Sequence, residues 1–64
     1  MDKQFANTIL DQLKNGEIEE YLVTKDVFYT FREVVVSRED FKHFSGNAQR
    51  GGKIIYTYTE TPRS

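Results

Sequence analysis

Cysteine is absent from this chain of 64 residues. No disulfide can therefore cross-link the fold, and the chain offers neither a thiolate nucleophile nor a cysteine ligand for zinc. Small extracellular domains usually depend on such cross-links, because their cores are too small to be stable alone. The absence favours a reducing compartment, and we expect a cytoplasmic protein.

Long apolar segments are also lacking. The longest aliphatic run is Val34-Val35-Val36, far shorter than the roughly 20 residues that cross a bilayer. The first residues, from Met1 to Phe5, contain no apolar stretch of the kind found in secretory signal peptides. From both absences we expect a protein that neither spans a membrane nor is exported.

Residue types that commonly carry catalysis or bind metals are few. His43 is the single histidine, so no second imidazole or thiolate completes a zinc site, and no acidic spacing matches a calcium loop. The adjacent carboxylates of Glu39 and Asp40 suit the first turn of a helix, where acidic side chains offset the helix dipole. We therefore predict no catalytic residue, no metal site and no cofactor.

The chain is long enough for one domain, which we place at residues 1–59, followed by a flexible tail at residues 60–64. A domain of this size buries only about 60% of the surface that its unfolded chain exposes. Most of the large apolar side chains are therefore expected to share one core. The predicted core consists of Phe5, Ile9, Leu13, Phe28, Phe31, Phe41, Phe44 and Ile54.

An amphipathic helix is predicted from Asp2 to Lys14. Its apolar residues recur at helical spacing along one face, and the charges of its first and last residues complement the helix dipole. Asn15-Gly16 ends the helix, because both residues tolerate the left-handed conformation of a C-terminal cap. The apolar stripe consists of Phe5, Ala6, Ile9, Leu10 and Leu13.

A near-repeat in the middle of the chain predicts two further short helices. Residues 23–31 resemble residues 36–44: each copy reads apolar, hydroxyl, base, acid, any residue, Phe, two residues, Phe. Thr24 and Ser37 hold the hydroxyl position, and such residues are good helix N-caps. We therefore predict helix starts after Thr24 and after Ser37, the latter helix extending to about Ser45 or, with an interruption, to Arg50.

The first of these two helices has two alternative ends. In one interpretation it runs from Lys25 to about Val35, which the helical spacing of its apolar residues favours. In the other it ends near Arg32 and a strand covers Glu33 to Val36, because β-branched residues favour strands. We prefer the longer helix.

Two strands are predicted, one from Glu17 to Val23 and one from Lys53 to Thr59. In the first, both faces carry apolar residues, so its inward face is left open; in the second, Ile54, Tyr56 and Tyr58 alternate with Ile55, Thr57 and Thr59. The fold class is then α+β. An N-terminal amphipathic helix and two further short helices pack against a small antiparallel sheet of two or three strands. The order is helix, strand, helix, helix, strand.

This element order resembles that of winged helix-turn-helix domains. The resemblance makes Thr24 to Val36 the first helix of the pair and Ser37 to Arg50 the recognition helix. It implies binding to DNA, although Glu39 and Asp40 at the start of the recognition helix would repel phosphate. The residues that would face the DNA groove are Lys42, His43, Asn47, Gln49 and Arg50.

The segment from Gly46 to Lys53 is rich in glycine and basic residues. It is not a phosphate-binding P-loop, since Ile54 occupies the position of the required hydroxyl and a strand follows instead of a helix. Charge is also uneven along the chain: residues 1–40 carry nine acidic and five basic side chains, whereas residues 41–64 carry one and four. The C-terminal part is therefore a candidate surface for a polyanion.

Two tyrosines next to this segment have alternative roles. Tyr56 and Tyr58 share one strand face with Ile54. If that face is exposed, the rings form a stacking platform for single-stranded bases. If it is buried, they belong to the core, and the apolar character of the face favours burial.

These observations predict an accessory or regulatory domain without enzymatic activity. Its expected mode of action is binding to a protein partner or homodimerisation, because a small core gains stability from a partner and an exposed strand edge offers one. The alternative is a DNA- or RNA-binding protein that uses residues 42–53. Its site would consist of Lys42, His43, Asn47, Gln49, Arg50, Lys53, Tyr56 and Tyr58.

Overall fold

The computed structural model describes residues 1–62, so residues 63 and 64 of the predicted tail lie outside the described residues. Within this range, two α-helices pack against a three-stranded antiparallel sheet, which confirms the α+β class. The elements in chain order are α1 (Lys3–Lys14), β1 (Tyr21–Val23), α2 (Lys25–Ser37), one 3₁₀ turn (Phe41–His43), β2 (Phe44–Ala48) and β3 (Ile54–Tyr58).

Helix α1 begins and ends as its sequence predicts. The Asp2 carboxylate accepts a hydrogen bond of 2.7 Å from the Phe5 backbone N–H, which caps the first turn. At the other end Gly16 adopts φ +77°, and the Glu17 N–H donates to the Gln12 carbonyl at 2.9 Å. This is a Schellman cap, in which a left-handed glycine lets the chain leave the helix while the last carbonyls keep partners.

Helix α2 follows the longer of the two predicted alternatives. Val34 and Val35 are helical and only 4% and 5% exposed, so the preferred prediction holds and the alternative of a strand at residues 33–36 is wrong. The β-branched residues tolerate the helix because burying them in the core outweighs their small intrinsic preference for strands.

The third helix, predicted to begin at Ser37, is absent from residues 37–50. The Ser37 hydroxyl donates to the Val34 carbonyl at 2.8 Å, so it completes α2 instead of capping a new helix. Arg38 then adopts an extended backbone with ψ 150°, and after one 3₁₀ turn the chain continues as β2. Glycine and asparagine within β2 are weak helix formers, and the strand buries Phe44 almost completely.

The resemblance to a winged helix-turn-helix domain is not confirmed. That fold requires a recognition helix over residues 37–50, and half of this range forms β2 and the start of the turn that follows it. Only one 3₁₀ turn, Phe41–His43, is helical there.

The sheet has the strand order β1-β3-β2, with both neighbours antiparallel to β3. Its inner face packs on the helices and its outer face does not. Tyr56 lies at the centre of the inner face, opposite Tyr21 of β1 and Gly46 of β2. The inner face carries Tyr21, Val23, Phe44, Gly46, Ala48, Ile54, Tyr56 and Tyr58, and the outer face carries Leu22, Ser45, Asn47, Ile55 and Thr57.

Phe31 joins α2 to the sheet. Its ring is fully buried and lies 4.8 Å from the Tyr56 ring and 5.9 Å from the Tyr21 ring, measured between centroids. Two predicted core residues are not in this core: Phe5 is 49% exposed and Phe41 36% exposed. Phe5 lies in the first turn of α1, and Phe41 lies in the 3₁₀ turn between α2 and β2.

Arg38 connects three parts of the fold just after α2. It donates to the Asp40 carboxylate at 2.9 and 3.2 Å and to Asp11 of α1 at 2.9 Å, and it also bonds the Asn7 side chain. Its guanidinium carbon lies 5.7 Å from the Phe44 ring centroid, which is cation–π distance. A single side chain thus holds α1, the 38–40 turn and the start of β2 together.

Across residues 1–62, no helix combines the length and the apolar composition that crossing a bilayer requires.

Replacing Phe31 should strongly destabilise the fold. We expect Phe31→Ala to lower the free energy of unfolding by about 3–5 kcal/mol, because the change leaves a cavity between α2 and the sheet. Urea denaturation followed by circular dichroism measures the effect. The matched control is Tyr29→Ala on the same helix, which is 79% exposed and should cost less than about 0.5 kcal/mol. Equal effects would contradict the packing described.

The pair of Arg38 and Asp40 should make stability depend on pH. Hydrogen bonds from Arg38 lower the pKa of the Asp40 carboxyl below its ordinary value. The stabilisation is therefore present above the unfolded pKa of about 3.9 and is lost as pH falls through the lowered folded value.

We expect Asp40→Asn to lower the free energy of unfolding at pH 7 by about 1 kcal/mol, because it removes one partner of a partly exposed charge pair. The difference in unfolding free energy between wild type and variant should shrink from pH 5 to pH 2. A difference that stays constant over this range would contradict the ion pair.

Candidate functional site

The residues predicted to bind nucleic acid are spread over the sheet and its turns. Lys42 and His43 precede β2, whereas Gln49, Arg50 and Lys53 lie in the turn after it. Five strand residues separate the two groups, a distance of roughly 17 Å at about 3.4 Å per residue. Asn47 lies on the outer face of β2, opposite Ile55. The structure therefore does not gather these polar side chains into one patch.

The two tyrosines belong to the inner face of the sheet. Tyr56 is 7% exposed and lies between Phe31 and Gly46. Tyr58 is half-buried and contacts the rings of His43 and Phe44, at centroid distances of 5.3 and 5.2 Å. Of the two roles that the sequence left open, the structure places both rings in the core or against it, so neither offers a free face for stacking.

His43 is half-buried at the end of the 3₁₀ turn, directly before β2. Its ring stacks on Tyr58 at an interplanar angle of 14°, and its Nδ1 lies 2.8 Å from the Thr59 carbonyl oxygen. A carbonyl only accepts, so Nδ1 carries the proton. The Thr59 backbone N–H returns a bond of 2.8 Å to the His43 carbonyl, which extends the β2–β3 ladder by one pair.

The glycine-rich segment is the turn of a β-hairpin. The Gln49 N–H donates to the Lys53 carbonyl at 2.7 Å, and Gly51 and Gly52 adopt φ +80° and +76°. Two consecutive left-handed residues allow the short connection between β2 and β3. A methyl group at Gly52 would lie 3.5 to 4.0 Å from the side chain of Lys25, so the start of α2 packs on this turn.

A groove runs between α2 and β2, and we call it the α2–β2 groove. Two depressions of about 440 and 310 Å³ share Phe28, Ala48 and Ile54 in their walls, so they lie side by side and together make up this groove. Val36 and Phe41 line the first depression, and residues of the hairpin turn line the second. The full lining consists of Lys25, Phe28, Tyr29, Arg32, Val35, Val36, Phe41, Phe44, Gly46, Ala48, Gln49, Gly52, Lys53, Ile54 and Tyr56.

The groove exists because β2 carries small residues on its inner face. Gly46 and Ala48 occupy two of the three inner positions of β2, and only Phe44 fills its position. A methyl group at Gly46 would lie 3.2 Å from atoms of the Tyr56 ring and of Ile54. That separation is tighter than normal packing, so a side chain here requires the Tyr56 ring or Ile54 to shift. Because neither Gly46 nor Ala48 carries a side chain that extends towards α2, the space between β2 and α2 stays open.

The groove also borders an open strand edge. β2 pairs with β3 on one side, and no other strand of residues 1–62 covers its second side. Every second backbone N–H and C=O of an edge strand points outward and can pair with another chain. Exposed apolar side chains lie beside this edge, Val36 at 49% and Phe41 at 36%. An unpaired backbone and an apolar channel thus occur together.

Charge in the groove has one sign. Its charged lining residues are Lys25, Arg32 and Lys53. Among residues 1–62, no acidic side chain lines the groove, and the ion pairs of the fold use Lys3, Lys14 and Arg38 instead. The groove is therefore basic in a chain whose net charge is −1.

The sequence analysis did not identify Lys25, Arg32 and Val36 as residues of a binding surface, and it assigned Phe41 to the core. The signal that could have found the groove is the alternation Phe44, Gly46, Ala48, in which small residues recur at strand spacing. Reading this segment as a helix hid that pattern. Within the described part of the chain, no cluster of three or more histidine and carboxylate side chains is placed to hold a metal ion.

Comparison with known proteins gives one family. Neither a curated protein nor a solved structure matches this chain. Residues 3–57 match the family described as YkzS-like protein, and this range contains both helices and nearly all of β3. The chain therefore belongs to the YkzS-like protein family.

Proposed function

We propose that this protein is a non-enzymatic interaction domain that binds another protein in the α2–β2 groove. The observation that carries the proposal is the juxtaposition of an unpaired edge, β2, with an apolar channel immediately beside it. Proteins that bind extended peptides at a sheet edge use this combination: backbone hydrogen bonds give affinity, and the channel selects side chains.

The apolar surface beside the edge supports the same function. Val36, Phe41 and Tyr29 are 49%, 36% and 79% exposed, and all three line the groove. Exposed apolar side chains grouped around a depression are typical of binding surfaces, whereas isolated ones are common on any protein. A segment lying in the groove would cover these side chains and gain the free energy of their burial.

A different protein fits the groove better than a second copy of this chain. Self-association through antiparallel pairing of two β2 edges would place two grooves next to each other, each lined by cations and, among residues 1–62, by no carboxylate. Like charges facing each other oppose such an association. An unlike partner can instead supply carboxylates opposite Arg32.

A residue substitution at the groove should abolish binding without unfolding the domain. We expect Val36→Asp to weaken binding of groove-selected peptides at least tenfold, because it puts a carboxylate in an apolar channel. The peptides are selected from a displayed random library on the immobilised wild-type protein, and their affinities are measured by fluorescence anisotropy. The matched control is Leu22→Asp, which is equally exposed at 47% but lies on the outer face.

Each result of this test has one interpretation. Loss of binding in the Val36 variant, with retention in the Leu22 variant, supports the proposal. Failure to select any peptide, or equal binding by both variants and wild type, contradicts it. Sedimentation of the free chain as a dimer that Val36→Asp dissociates would contradict a heterologous partner, because the groove would then be occupied by a second copy.

A further inference from the structure

Four residues of α2 line the groove at nearly equal steps and alternate in chemistry. Lys25, Phe28, Arg32 and Val36 are spaced by three, four and four residues, which places them along one side of the helix. At about 1.5 Å of rise per residue, successive members are separated by roughly 4.5 to 6 Å along the axis. The groove therefore presents basic, apolar, basic and apolar positions in order from the hairpin turn.

An extended chain has a matching period. Alternate residues of a strand point to the same side and are about 6.8 Å apart. A strand added along the free edge of β2 would therefore direct one side chain towards each successive member of the α2 row. The helix spacing and the strand spacing differ by about 2.3 Å for the first step and about 0.8 Å for each of the other two. The total of roughly 4 Å is within the reach of the long side chains of Lys25 and Arg32.

We propose, building on the proposed function, that the α2–β2 groove binds an extended acidic segment of another protein in which acidic and apolar residues alternate at every second position. Carboxylates of the segment pair with Lys25 and Arg32, and its apolar side chains contact Phe28 and Val36. Lys53 adds a second cation beside Lys25 at the hairpin end.

The direction of the segment follows from the sheet. Antiparallel pairs are slightly more stable per residue than parallel ones, so the segment runs from the hairpin turn towards Phe41. Read from its N-terminus it has the pattern acid, any, apolar, any, acid, any, apolar. Seven residues extend over roughly 20 Å, which covers the five residues of β2 with one residue beyond each end.

The free strand edge favours a peptide over a nucleic acid. The lining alone does not distinguish the two ligands, because the rings of Phe28, Tyr29 and Phe41 lie beside its cations. Single-stranded nucleic acids bind where aromatic faces are free beside the cations. A strand edge, in contrast, pairs with a peptide backbone.

The experiment uses a capped heptapeptide, Glu-Thr-Ile-Thr-Glu-Thr-Ile, titrated into ¹⁵N-labelled protein and followed by NMR. The control peptide, Thr-Glu-Ile-Glu-Thr-Thr-Ile, has the same composition and charge but directs both glutamates away from the groove. We expect the first peptide to bind at least fivefold tighter and to shift the amide signals of β2 most. We also expect affinity to fall several-fold between 50 and 300 mM NaCl, because salt screens the ion pairs.

Charge reversal at Arg32 tests the register directly. Arg32→Glu should weaken binding of the heptapeptide at least fivefold. Replacing the second glutamate of the peptide by lysine should restore affinity for this variant alone. The matched control is Arg50→Glu, which makes the same charge change in the hairpin turn outside the groove lining and should alter affinity less than twofold.

The results separate this inference from the proposed function. If library-selected peptides bind the groove but lack acidic residues, or if Arg32→Glu and Arg50→Glu have equal effects, the alternating acidic segment is wrong while the docking function stands. If no peptide binds, both are wrong. If a single-stranded oligonucleotide of eight thymidines shifts the same amides and binds tighter than the heptapeptide at 150 mM NaCl, the groove binds nucleic acid and the inference is overturned.

Discussion

The ring of Tyr56 lies between Phe31 of α2 and the backbone of Gly46, and this contact determines the rest of the inner face. The ring is 4.8 Å from Phe31, and an added methyl group at Gly46 would lie 3.2 Å from it. A side chain at Gly46 would therefore require the Tyr56 ring or Ile54 to shift by a few tenths of an ångström. Packing an aromatic ring over a glycine in a neighbouring strand compensates for the missing side chain. The same arrangement leaves β2 without bulk, so the groove is a consequence of how the core is built.

Arg38 explains why two similar sequence segments fold differently. After Thr24, helix α2 begins, and Asp26 in its first turn accepts a hydrogen bond from the Thr24 hydroxyl. After Ser37, in the second copy of the near-repeat, the chain extends. The base at this position, Arg38, is held by Asp11 and Asp40 and lies on Phe44. The corresponding Lys25 has no such contacts and starts the helix. Long-range contacts therefore override equal local preferences.

This contrast marks the limit of what the sequence could predict. α1 was predictable because its apolar stripe, the charge of Asp2 at its start and its stop at Gly16 all agree. The central strand was predictable because Ile54, Tyr56 and Tyr58 recur at strand spacing shortly after a glycine pair. β2 was not predictable, because residues 44–48 form a strand only through their pairing with β3. That pairing depends on the hairpin turn at residues 49–53, which an interpretation of residues 37–50 as a helix does not contain. The groove could not be predicted for the same reason: Gly46 and Ala48 are adjacent inner-face positions only once the segment is a strand.

The basic residues of the groove differ from Lys3, Lys14 and Arg38 in that they form no ion pair within residues 1–62. Lys3, Lys14 and Arg38 form ion pairs that connect parts of the fold, whereas Lys25, Arg32 and Lys53 line the channel without a carboxylate partner among residues 1–62. Exposed ion pairs contribute little to stability, so three unpaired cations cost the fold little. Their carboxylate partners, if drawn from another chain, would be partly desolvated beside Ile54 and Val36, where electrostatic attraction is stronger than at an open surface. Positive charge in this groove would therefore contribute more to binding the proposed acidic segment than it could contribute to folding, and the small residues of β2 are what make the groove accessible.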